Sequence, residues 1–166
     1  MIEVTVETIQ VSLVSSHRIV VLKEIAAERY LPIWIGPCEA EAISVGVKGI
    51  DVQRPLTHDL IVNLIDALDA ELSHVQVSEL SDNTYFATLT LSSAEAEIEV
   101  DARPSDAIAV AVRLGVPIYV ADSVMADAGI VPEKDLLAQQ DEESENLGVF
   151  RNFLSSLNLD ESQDEE

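Results

Sequence analysis

The sequence of 166 residues predicts an α+β domain built on a largely antiparallel sheet. Its elements come in blocks (strands, helices, strands, helix) without regular βαβ alternation, and hairpin-like turns join most of the strands. A candidate duplication adds a third observation. Residues 41–48 (Glu-Ala-Ile-Ser-Val-Gly-Val-Lys) align with 106–113 (Asp-Ala-Ile-Ala-Val-Ala-Val-Arg) at an offset of 65, with four identities, and each segment follows three strands. Either two strand-strand-strand-helix halves arose by duplication, or two small-residue amphipathic helices converged in composition.

Residues 2–14 alternate from Ile2, Val4 and Val6 onward, the period of a half-buried strand. Ser15, Ser16, His17 and Arg18 make a turn, and strands follow at 19–24 and 30–35. Gly36-Pro37 interrupts the sheet, and 38–48 reads as a helix with Gly49 as its stop. Thr57 opens a second helix running to Ala70, where Leu60, Ile61, Leu64, Ile65 and Leu68 keep the i, i+3/i+4 spacing. Strands at 74–80, 85–91 and 94–100 are joined by Ser81-Asp82-Asn83 and Ser92-Ser93. A third helix spans 104–114 and stops at Gly115; 117–120 is a short strand and 123–128 a helical turn. Ala42, Gly46, Ala107 and Ala111 permit close approach of helices or sheet.

This folded part is assigned to residues 1–135. Residues 136–166 hold an acidic linker (141–145), an amphipathic stretch (147–159) with Phe150, Phe153, Leu154 and Leu157 on one helical face, and an acidic tail (160–166) expected to be disordered. The amphipathic stretch can dock on its own domain, on a second copy or on a protein partner.

An apolar fraction of 48% suits a globular core, and with aromatics at 4% that core must be built from Val, Ile, Leu and Ala. No apolar run approaches the ~20 residues of a membrane span. The chain starts at once with strand-like alternation, so no signal peptide is expected. Cys38 is the single cysteine, which excludes an intramolecular disulfide and a Cys-based zinc site, and it is expected to be a small buried residue. A cytoplasmic location follows as the expectation. The net charge is −22; eleven acids against two bases follow Pro132, and the preceding residues still carry −13. That argues against tight non-specific nucleic-acid binding, which needs Lys and Arg to neutralise phosphates. Bound divalent cations would reverse the local sign.

Two Arg-Pro helix openings concentrate the chemistry: Arg54-Pro55-Leu56-Thr57-His58-Asp59 and Asp101-Ala102-Arg103-Pro104-Ser105-Asp106. Pro suits the first helical turn, where its missing N–H would have no partner. Thr57, Ser105 and the aspartates can accept from the free N–H groups there. Each opening thus offers a guanidinium, a hydroxyl, carboxylates and spare donors, which can hold phosphate or an Asp-bound metal. In the functional reading Asp101, Asp106 and Asp59 hold Mg²⁺ or Mn²⁺, and Arg54 and Arg103 grip phosphate. His58 acts as general base or acid, with Asp59 orienting it. In the structural reading the same residues are paired, well-capped helix starts.

Glu39 and Glu41 open the first helix and suit its dipole; the repeat alignment sets Glu41 against Asp106, which keeps Glu41 as a further candidate ligand. His17 and His74 read as ordinary, and Trp34 as core or interface. Tyr30, Tyr85 and Tyr119 are not interleaved with basic residues, as base-stacking platforms would be.

The segments 54–60 and 101–109, followed by Gly115-Val-Pro-Ile-Tyr-Val120 and preceded by Leu31-Pro-Ile-Trp-Ile-Gly36 and Glu39-Ala-Glu41, resemble the bifunctional nuclease (BFN) domain family. The resemblance spans about residues 2–132. It implies a compact α+β domain, often self-associating as a homodimer or higher homo-oligomer, and an activity on both RNA and DNA assigned to some members. It implies no agreed catalytic constellation. The expectation is therefore a nuclease that hydrolyses phosphodiester bonds of RNA and DNA with a divalent ion. The alternative is a non-catalytic homo-oligomeric interaction module with an acidic surface.

Overall fold

The computed structural model describes residues 1–11, 18–94 and 96–132. Among these residues, seven strands form one sheet in the order β3-β2-β1-β7-β4-β5-β6. The first trio is β1 (Ile2–Val11), β2 (Arg18–Glu24) and β3 (Tyr30–Ile35), and the second is β4 (Glu71–Ser81), β5 (Thr84–Ser92) and β6 (Glu97–Ala102). Both trios are antiparallel meanders, separated by the three-residue β7 (Ile118–Val120). β7 is antiparallel to β1 and parallel to β4, so β1 and β4 run in opposite directions. A twofold axis through β7, normal to the sheet, relates the trios in just this way. The α+β class holds, and so do the two strand-strand-strand-helix halves.

Helix α1 (Pro37–Lys48) follows the first trio and α3 (Pro104–Leu114) the second, and the two pack side by side on one face of the sheet. Each carries Pro in its first turn and a left-handed Gly after its last, at Gly49 (φ 59°) and Gly115 (φ 66°). Gly46 lets them approach, because a Cβ there would stand 2.6 Å from Val112 Cγ2. The core between sheet and helices is aliphatic: Val20, Leu22 and Leu31 from one half, Val75, Val77 and Ala87 from the other, closed by Ile43, Ile108 and Val110. α2 (Thr57–Ala67) packs on α3, and α4 (Asp122–Ala128) follows β7. Among the described residues no helix is long and apolar enough to cross a membrane.

Several boundaries differ from the sequence reading. α2 stops at Ala67, three residues early, because Asp69 turns the chain in a left-handed conformation (φ 53°) and frees Glu71 to start β4. β6 begins at Glu97 because Ser93 and Ala96 close a turn, with Ser93 N–H donating to Ala96 O at 3.0 Å. Cys38 is exposed in the first turn of α1 rather than buried. The turn residues 15–17, including His17, and all of 133–166 lie outside the described residues.

Candidate functional site

The two Arg-Pro openings meet in space. β6 delivers the chain to Arg103, an extended residue (φ −71°, ψ 144°) that precedes α3, and Asp106 lies in the first helical turn. Arg103 grips Asp106 with two donors: Nε to Oδ2 at 2.7 Å and Nη2 to Oδ1 at 3.1 Å. From α2, His58 Nε2 sits 3.0 Å from the same Oδ1. From α1, Glu39 Oε1 accepts from Arg103 Nη2 at 2.9 Å. One carboxylate thus joins the starts of α2 and α3, and one guanidinium ties in α1. The His58 ring is buried, whereas the Arg103 side chain is 66% exposed.

His58 and Asp59 are sequence neighbours, yet they engage opposite ends of α3. Asp59 Oδ1 accepts from Arg113 Nε at 2.5 Å, and its Oδ2 accepts from Leu56 N–H at 2.8 Å. Arg113 also donates from Nη1 to Ala42 O (2.9 Å) and Ala109 O (2.7 Å). Its side chain is only 8% exposed, and its Nη2 is buried with no hydrogen-bond partner among the described residues. Asp59 therefore anchors helices and does not orient His58. The N-cap residues are Leu56 and Arg103, and neither makes a side-chain cap hydrogen bond, so Thr57 and Ser105 do not serve as caps; Asp59 caps Leu56 N–H at the start of α2, and Ser105 is buried.

These contacts set the charge states. The hydrogen bond from Arg113, with that from Leu56 N–H, holds the Asp59 carboxyl below the ordinary carboxylate range. Burial pushes Asp106 up, but hydrogen bonds from Arg103 and His58 outweigh it and leave that carboxyl lowered too. Asp106 in turn raises Arg103. The centre is a fixed anion between an imidazole and an exposed guanidinium.

The remaining candidates lie apart. Asp101 stands opposite Thr88 in β6, and strand alternation turns it to the sheet face away from Ala102, which packs on the core. Arg54 is exposed in the chain between α1 and α2 and makes no ion pair among the described residues. Glu41 is exposed; Glu39, given only a dipole role from sequence, is the acid that reaches the cluster. Matching the helix-opening prolines, Pro37 with Pro104, sets Glu39 against Asp106, so the repeat alignment at offset 65 was out of register by two at this end. Arg113 was missed altogether. Seven residues from Asp106, it shares a face of α3 with it, but that spacing does not point to Asp59, its partner on α2. His74 lies on β4 beside Ser73 Oγ (2.7 Å), Thr90 Oγ1 (3.3 Å) and the Tyr119 ring, away from the cluster.

A divalent ion finds no prepared ligand set here. Both oxygens of Asp59 and both of Asp106 already accept from N–H donors, and Asp101 faces elsewhere. Among the described residues no group of three or more His, Cys, Asp or Glu is arranged to hold a metal.

The sequence model described as Bifunctional nuclease domain matches residues 20–133, which include every residue of this cluster. The chain belongs to the bifunctional nuclease domain family. An uncharacterized protein of Mycobacterium tuberculosis is similar to it at 41% identity, over 96% of both chains. Bifunctional nuclease 1 of Arabidopsis thaliana is 32% identical over 63% of this chain and 33% of its own length. Bifunctional nuclease 2 of Oryza sativa subsp. japonica is 30% identical over 68% of this chain and 35% of its own. This bifunctional nuclease domain thus corresponds to about a third of each plant protein.

Proposed function

We propose that this chain is a nuclease acting on phosphodiester bonds of RNA and DNA, with its site at the start of α3. The observation that carries the reading is the convergence of both Arg-Pro openings on Asp106. Exposed Arg103 binds a phosphate oxygen and stabilises the charge that develops on the transferring phosphoryl group. Arg54, without an ion pair among the described residues and on the same chain segment as His58, adds a second phosphate contact. Asp106 holds the His58 ring through Nε2, leaving Nδ1 as the nitrogen that takes or gives a proton. Family kinship supports the reaction class. The carboxylates do not fit a ready-made Mg²⁺ or Mn²⁺ site, so cleavage is compared with each metal and with chelator. A cytoplasmic location and a homo-oligomeric state remain part of this reading.

The test is cleavage of labelled single-stranded RNA and DNA with Mg²⁺, Mn²⁺ or chelator, comparing wild type with His58→Ala, Asp106→Ala and Arg103→Ala, each confirmed folded. Turnover that follows the folded protein through purification and drops at least tenfold in each variant is expected. Undiminished turnover in all three folded variants would refute the assignment.

One observation favours the second reading, a non-catalytic interaction module. Glu39, Asp59, Asp106 and Arg113 are engaged across three helices, which is what a packing lock requires. Absence of turnover with every metal, in a protein that still associates with itself or a partner, would favour it.

A further inference from the structure

We propose that the groove at the C-terminal ends of α1 and α3 is the docking site for this chain's own residues 147–159. The groove encloses about 410 Å³ and is lined by Val6, Ile25, Val47, Val112 and Val116, with Glu3 as its one charged lining residue. Val47 and Ile25 are 53% and 61% exposed, an apolar surface without cover among the described residues. It arises because β7 has three residues while β1 has ten. Past Val4, the β1 edge that faces β7 has no strand partner among the described residues, and the groove opens there.

The occupant follows from where the chain leads, from its apolar pattern and from its charge. Ile130 pairs with Tyr30 (N–H to O, 2.7 and 2.8 Å), and Tyr30 ends the turn whose first residue, Ile25, lines the groove. The described chain therefore ends beside β3, with β2 and β1 between it and the edge on which the groove opens. The fourteen residues from 133 to 146 reach up to about 46 Å when extended, ample for a return path. On helical spacing Phe150, Phe153, Leu154 and Leu157 share one face, which suits an aliphatic groove. Arg151 is the only charged residue in 147–159, within a region that is otherwise strongly acidic. Docked there, it would meet the one charge in the groove, Glu3, and the partial negative charge at two helix C-termini. An apolar segment with a single cation complements this lining, which an acidic peptide would not.

The test uses the full chain and hydrogen–deuterium exchange read by mass spectrometry. Wild type should show slowed exchange in 147–159 and in groove peptides covering 45–48 and 111–117. Phe150→Asp with Phe153→Asp should speed exchange at least fivefold in both places, and Val47→Asp should do so from the groove side while β2 and β4 stay protected. Glu3→Lys should weaken the protection, and Glu3→Lys with Arg151→Glu should restore it. Fast exchange of 147–159 in wild type would overturn the proposal, as would groove peptides indifferent to the segment variants. Protection that vanishes on dilution, together with a dimer mass by light scattering, would assign the groove to a second copy's segment and overturn docking within one chain.

Discussion

Asp59→Asn should destabilise this protein far more than it perturbs any chemistry. The substitution keeps the shape of the side chain and removes its charge, leaving the Arg113 guanidinium at 8% exposure without its anion. Breaking one partner of a buried pair costs about 3–5 kcal/mol. Asp59 itself is 25% exposed, so water offers partial compensation and the lower end, about 3 kcal/mol, is expected. That is a large share of the roughly 5–15 kcal/mol that holds a domain together. At about 2–4 °C per kcal/mol, Tm should fall by roughly 6–12 °C. Urea unfolding followed by circular dichroism measures it directly. A loss under about 1 kcal/mol with an unchanged slope would refute the reasoning, because Arg113 would then be solvated or re-paired despite its burial.

Arg103→Ala should reduce phosphodiester cleavage at least tenfold while costing under about 1 kcal/mol of stability, since its ion pairs are largely exposed; parallel cleavage and urea assays check both. Asp59 and Asp106 both have carboxyls lowered on folding, so the unfolded chain binds more protons in acid and these groups contribute stability that rises with pH. Their contribution should be fully present above the unfolded value of about 4 and lost below it, as pH falls through the lowered folded values. Urea midpoints across pH 2–7 should show that decline, with a shallower slope in Asp59→Asn. Gly46→Val should destabilise by about 1–3 kcal/mol, because its Cβ already collides with Val112 before the two methyls are added; thermal unfolding reads it.

The strands and α3 were legible because their signals are local: period-two alternation, Pro in the first helical turn and Gly after the last. The meeting of His58 with Asp106 was not, since no pattern in the sequence says that two helix starts 48 residues apart will touch. Arg113 was hidden for a related reason. An arginine in the last turn of a helix reads as a dipole partner facing water, and only the packing of α1 against α3 at Gly46 buries it. Glu39 lost its place to Glu41 because matching side chains by similarity ignored the prolines that fix where each helix begins. Asp101 was grouped with Asp106 by proximity in sequence, although one residue of strand alternation is enough to put it on the far face. Cys38 was placed inside from its usual preference, but it lies on the exposed side of the first turn of α1, whose Ala40 takes the buried side.

The central position of β7 governs how this molecule can be made. The middle strand of the sheet is nearly the last to be synthesised, and its neighbour β1 is the first. Until residues 118–120 emerge from the ribosome, the two meanders have no shared strand, and the β1 edge waits bare for a partner more than a hundred residues away. Such a long closure slows folding and leaves an open strand edge exposed to other chains meanwhile. Expression yield in this fold should accordingly depend on how quickly translation delivers β7.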